Sequence, residues 1–147
     1  MDTATRHNVS YEACTVCPRA CGVNRAIGEL GICKAPAELH IGRAALHWWE
    51  EPCLVGEQGS GAVFFSYCPL GCVYCQNEGL VAGAGIEVGF EQFKQTLLRL
   101  QNEEHAANIN LVTPSHYVPT IAEALRQLRK VSVEEFPEGS VVNGGSS

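Results

Sequence analysis

Two things are scarce in this 147-residue sequence: long apolar runs and positive charge. No stretch approaches the ~20 apolar residues that a helix needs to cross a bilayer, which excludes a transmembrane helix. The opening residues, MDTATRHNVS, are polar where an export signal is apolar, so a cytoplasmic location is the expectation. Lys and Arg number 10 against 16 Asp and Glu, a formal charge of −6, and no basic tract is present. That balance speaks against nucleic acid as a partner, and the missing apolar run speaks against a membrane. The length suits one modest core rather than two full domains.

What the sequence has instead is cysteine, eight in all. Without an export signal, clustered cysteines more often bind metal or carry out redox chemistry than form disulfides. Cys14, Cys17, Cys21 and Cys33 form one group, Cys68, Cys72 and Cys75 a second, and Cys53 stands alone.

Residues 1–60 read as a Cys-rich N-terminal extension, because residues 11–60 are rich in Cys, Gly and Pro and lack a sustained period. Within it, residues 38–49 (ELHIGRAALHWW) suit a short strand or hairpin. Residues 61–130 have a different texture. Residues 62–67 (AVFFSY) are a short apolar run fit for a buried strand, and Phe90, Phe93, Leu97 and Leu100 mark an amphipathic helix over residues 90–104. Residues 108–113 (NINLVT) predict a second strand, ending at Pro114. Val118, Ile121, Ala122, Leu125 and Leu128 then predict a second helix with Pro119 in its first turn. Two successive strand–helix units imply α/β architecture with parallel strands and a ligand site at their C-terminal ends. Residues 131–147 offer at most one short strand, and beyond Pro137 a loose Gly/Ser/Asn-rich tail.

Cys68-Pro-Leu-Gly-Cys72-Val-Tyr-Cys75 sets its thiols close together after the first strand, with Gly71 permitting a tight path. Three cysteines on a four-iron, four-sulfur (4Fe-4S) cluster leave one iron open to chelate a small molecule. A zinc site completed from elsewhere, or cysteines that fill core space, are the other readings. Zinc favours four N or S ligands, and no His lies within the triplet. Cys14, Cys17, Cys21 and Cys33 offer enough thiols for either a structural zinc ion or an auxiliary iron–sulfur cluster.

The segment 64–77, FFSYCPLGCVYCQN, resembles the cluster loop of the radical S-adenosylmethionine superfamily, whose signature is C-x3-C-x2-C with an aromatic residue before the last cysteine. More narrowly, residues 14–130 resemble relatives of the pyruvate formate-lyase activating enzyme. CTVCPRACGVNR from Cys14, HWWEEPCLVGEQGSGAVFFS from His47 and NINLVTPSHYVP from Asn108 carry that likeness. The resemblance implies the N-terminal part of a partial (β/α) barrel and a 4Fe-4S cluster on Cys68, Cys72 and Cys75. It further implies S-adenosylmethionine as cofactor, with the Tyr74 backbone against its adenine, and reductive cleavage to a 5′-deoxyadenosyl radical. The partners it implies are a one-electron donor such as a flavodoxin or ferredoxin and a glycyl-radical protein. Activating enzymes generally carry a Gly-Gly-Glu element after the second strand; here Thr113-Pro114-Ser115-His116 stands in its place, making Thr113, Ser115 and His116 the candidates to hold S-adenosylmethionine. A closed barrel takes ~250 residues, so the chain is expected to be a truncated, poorly active part of one.

Among the remaining residues, Cys53 is expected to be packed rather than reactive, and His47 with Trp48 and Trp49 to form a packed edge. Glu50 and Glu51 read as a solvated pair before a cation site. Two other functions compete with a radical enzyme: a non-catalytic zinc or iron–sulfur module, and a ferredoxin-type electron carrier, for which a three-cysteine site is awkward.

Overall fold

A computed structural model describes residues 11–135, and the side chains of residues 11–130. Its frame is a mixed sheet of four strands in the order β3-β1-β2-β4. These are β1 (Leu39–His47), β2 (Ser60–Phe65), β3 (Ile86–Val88) and β4 (Ile109–Val112). β2 runs parallel to β4, while β1 is antiparallel to both β2 and β3. Among the described residues the sheet is open and is not closed into a barrel.

β2 is buried at every position except the half-buried Phe64, as its continuous apolar run requires of a strand flanked on both sides. β1 starts in alternation, with Leu39 and Ile41 buried about a half-exposed His40, and slips register between Ile41 and Arg43. The short helices α1 (Pro52–Val55) and α2 (Glu78–Val81) sit in the connections. α3 (Phe90–Leu98) begins where Gly89 N–H donates to the Gln92 side chain, 3.0 Å, and runs into a π-helical turn over Arg99–Glu103. α4 (Val118–Glu135) is the longest helix, entered through a 3-10 turn at Ser115–Tyr117. Phe65 stands at the centre of the core, edge-on to Phe93 and tilted against Tyr117, each ring 5.9 Å away. Leu39, Ile41, Val63, Leu97, Leu100, Ile121 and Ala124 close around them.

Both expected strands and both helices appear, and the two strands are parallel with α3 on the crossover between them. The segment 38–49 forms one strand rather than a hairpin, and it pairs inside the main sheet instead of within a separate extension. β3 has no counterpart in the sequence reading, since three residues are too few to display a period. Residues 131–135 continue α4 rather than starting a strand, and the tail beyond them lies outside the described residues. Cys53 is exposed in the first turn of α1, not packed. Trp49 is 90% and Trp48 53% exposed, so the expected packed edge does not form, although the Trp48 indole lies over Gly59.

Candidate functional site

The second cysteine group lies where β2 ends. Ser66 N–H donates to His40 O (3.0 Å) and Tyr67 N–H to Leu80 O (2.8 Å), so the chain is held on both sides as it leaves the sheet. Tyr67 then takes a positive φ of 64°, a turn that throws the following residues outward. Gly71, at φ 62°, bends the loop back, and Cys75 N–H closes on Cys72 O at 3.2 Å. The Cys75 sulfur accepts a hydrogen bond from Asn77 N–H at 3.3 Å, a contact that tunes a cluster when the sulfur ligates one. Cys68, Cys72 and Cys75 all line one open cleft of about 490 Å³.

Cys33 and Lys34 line the same cleft, and strand direction is the reason. Because β1 is antiparallel to β2, with Ile41 opposite Phe65, the segment leading into β1 arrives at the rim where the loop after β2 departs. Arg19 ties the two cysteine groups together: its Nε donates to Pro69 O and its Nη2 to Leu70 O, both at 3.1 Å.

The N-terminal group is folded on itself. Cys14 N–H donates to Val23 O (2.9 Å) and Gly22 N–H to Cys14 O (3.0 Å), clasping the loop that carries Cys17 and Cys21. Cys14 is buried, while Cys17, Cys21 and Cys33 are half-buried. Burial pushes the Cys33 thiol up, and the neighbouring Cys17 and Cys21 add to it. At Cys21 a small desolvation acts the same way, but amides of Ile32, Val23 and Cys21 itself and the Cys14 side chain outweigh it, leaving the thiol below its ordinary value.

Among the described residues, no group of three or more His, Cys, Asp or Glu side chains is set to hold a single metal ion. A mononuclear zinc site draws sulfurs to ~2.3 Å from one point, whereas a cubane takes each thiolate on a different iron and leaves them apart. The loop presents three thiols around an open cleft.

The remaining predicted residues are not gathered around that cleft. Tyr74 is 85% exposed on the loop itself. Thr113 follows β4 with φ 55° and donates through Oγ1 to Phe65 O at 2.9 Å, joining the ends of the two parallel strands. Ser115 is exposed. His116 is buried, with Nε2 2.6 Å from Ser66 O, and burial holds its pKa at about 4. Thus Thr113 and His116 brace the strand ends under the cysteine loop. Sequence reasoning missed Arg19, Lys34 and the entry of Cys33 into the cleft; the Arg two residues after Cys17 was the available signal. No protein-family model matches the chain, and neither a curated protein nor a solved structure is similar to it.

Proposed function

We propose that this chain is a radical S-adenosylmethionine iron–sulfur protein similar to the pyruvate formate-lyase activating enzyme, its sheet and helices forming the N-terminal part of a partial (β/α) barrel. The observation that carries the reading is the meeting of Cys68, Cys72 and Cys75 on one open cleft beyond the C-terminal end of β2. Ligands of α/β sheets sit at such ends. Cys68, Cys72 and Cys75 would hold a 4Fe-4S cluster with one cysteine-free iron, which would supply the one-electron chemistry for reductive cleavage of S-adenosylmethionine to methionine and a 5′-deoxyadenosyl radical.

The chain's own part is to bind and orient. Gly71 lets the loop wrap, Asn77 N–H steadies the Cys75 sulfur, and Arg19 fixes the carbonyls of Pro69 and Leu70. By the same resemblance the Tyr74 backbone would lie along the adenine, and the exposed Ser115 hydroxyl would accept from the ligand ammonium group. Lys34 and Arg19 supply positive charge at the cleft for a carboxylate. The electron donor is of flavodoxin or ferredoxin type, and the substrate class a glycyl-radical protein.

One observation favours a second reading, a non-catalytic zinc or iron–sulfur module. Cys33 shares the cleft and offers a fourth thiolate that would close the coordination sphere. The two readings part on anaerobic reconstitution with iron and sulfide followed by electron paramagnetic resonance. An open iron predicts that Cys33→Ala keeps the loop cluster and that S-adenosylmethionine still shifts its signal. Cys68→Ala, Cys72→Ala or Cys75→Ala should each abolish that signal. Loss of the signal in Cys33→Ala, or no response to S-adenosylmethionine, would favour the closed module.

A further inference from the structure

The N-terminal cysteines are not, among the described residues, a group of three set for a metal ion, and Cys33 lines the other cleft. Two of them are nonetheless brought into contact. Cys14 N–H donates to Val23 O at 2.9 Å and Gly22 N–H returns to Cys14 O at 3.0 Å, folding the chain back on itself across Cys14 and Cys21. The Cys14 side chain hydrogen-bonds to the Cys21 thiol, and both cysteines are free. They differ in access: Cys14 is 5% exposed, whereas Cys21 is half-buried and open to a reagent.

The surroundings of the two sulfurs suit exchange chemistry. Gly31 lies so close to the Cys21 sulfur that a Cβ there would collide with it, so a glycine at that position leaves the sulfur its place. A small desolvation of the Cys21 thiol is outweighed by amides of Ile32, Val23 and Cys21 itself, which favour its thiolate. Behind Cys14 stands a buried cation. Arg25 is 2% exposed, its Nη1 donates to His116 O at 2.6 Å, and the same nitrogen is 3.8 Å from the Cys14 sulfur. Negative charge released onto that sulfur when a sulfur–sulfur bond breaks would therefore meet a fixed positive group rather than an apolar wall.

We infer that Cys14 and Cys21 are a redox-active dithiol that a low-molecular-weight disulfide closes to a bridge, Cys21 being the attacking thiol and Cys14 the resolving one. This does not depend on the chemistry at the second cysteine loop. The Cys21 thiolate attacks one sulfur of the external disulfide, forming a mixed disulfide and expelling one thiolate. The Cys14 thiol gives its proton to that thiolate and attacks the Cys21 sulfur, expelling the second thiolate, which takes up the proton that Cys21 had lost to solvent. Two cysteine thiols are thus oxidised by two electrons, and the external disulfide is reduced to two thiols. The order follows from access, since the reagent reaches Cys21 and not Cys14. The bridge closes a ring that contains Arg19, whose guanidinium holds Pro69 O and Leu70 O at 3.1 Å. Closing it stiffens the support of the second cysteine loop.

The test takes the full chain, reduced under anaerobic conditions, equilibrates it with mixtures of oxidised and reduced glutathione, blocks free thiols with N-ethylmaleimide and digests it with trypsin. Cleavage after Arg19 parts Cys14 from Cys21, and the bridge is read by mass as residues 7–19 joined to residues 20–25. The joined pair should form in the wild type, in Cys17→Ser and in Cys33→Ser, and be absent from Cys14→Ser and Cys21→Ser. Cys14→Ser should instead collect glutathione on Cys21, because nothing resolves the mixed disulfide, while Cys21→Ser should leave Cys14 unmodified. With the bridge closed, amide exchange over residues 68–75 should slow, and Arg19→Ala should remove the difference. No joined pair at any glutathione ratio, or one that requires Cys17 or Cys33, would overturn the dithiol. Glutathione on Cys14 in Cys21→Ser as readily as on Cys21 in Cys14→Ser would overturn the order of attack, and equal amide exchange in the two states the link to the second loop. Should Cys14→Ser fail to fold, the linkage in the wild type, Cys17→Ser and Cys33→Ser decides the dithiol, and the site of the mixed disulfide trapped by acid in the wild type decides the order.

Discussion

At His116 the imidazole is buried between Ser66 and Tyr117, and Nε2 must carry the proton because the Ser66 carbonyl can only accept. Nδ1 is buried with no partner, so protonating it would place a second cation near Arg25. Burial first, with the Arg25 charge beside it, keeps the ring neutral down to about 4 from the ordinary 6.5. In the unfolded chain the same ring takes up its proton near pH 6.5, so between these values the unfolded state binds more protons. Stability is therefore full above pH 6.5 and falls with pH toward 4, by at most about 1.4 kcal/mol per pH unit. Urea midpoints taken between pH 7.5 and 5 should drop in the wild type and drop less steeply in His116→Gln. Equal slopes would show that the ring is not held neutral. This burial was half legible: the position of His116 after the second strand follows from the sequence, but whether it faces a ligand or the core depends on Tyr117 and Ser66. Arg25 was not legible at all, because an arginine in a Gly-rich loop looks like any solvated cation until the chain folds over it.

At the level of elements, β2 is the member on which the others depend, since β1 and β4 both pair with it and Phe65 joins the sheet to α3 and α4. Phe65→Ala removes a fully buried ring between two others and should cost about 3–5 kcal/mol, read as a lowered denaturation midpoint with an unchanged m-value. A loss under ~1 kcal/mol would mean that the core collapses onto the gap and that Phe65 is not its centre. β2, β4, α3 and α4 were readable because each displays its own period or run within a few residues, with Pro114 closing the β4 run. β1 had the composition of a strand but not its partner: pairing is a long-range matter, and nothing local in residues 39–47 says that they run against residues 60–65. The same blindness hid Cys33 from the cleft. Its place there follows from the direction of β1 and not from its distance along the chain to Cys68.

For the whole molecule, the open sheet leaves two outer strands of different character. β3 is three residues long and includes Glu87, a short and charged edge. β4 spans Ile109–Val112 without a charged residue, and no described strand pairs with its outer side. Such an edge invites another chain. Sedimentation should show association that grows with concentration, and a monomer at every concentration would mean that the outer side of β4 is covered. The direction of β1 has a practical outcome as well. Both tryptophans of the chain, Trp48 and Trp49, follow the end of β1 remote from the cysteine cleft, where His47 lies opposite Ser60. Ultraviolet emission from this protein therefore reports on the β1–β2 connection, and events at the cleft would pass without a change in it. A probe for those events has to be installed, and Tyr74→Trp, on the exposed face of the loop, would set an indole beside the sulfurs, close enough for a bound chromophore to quench it.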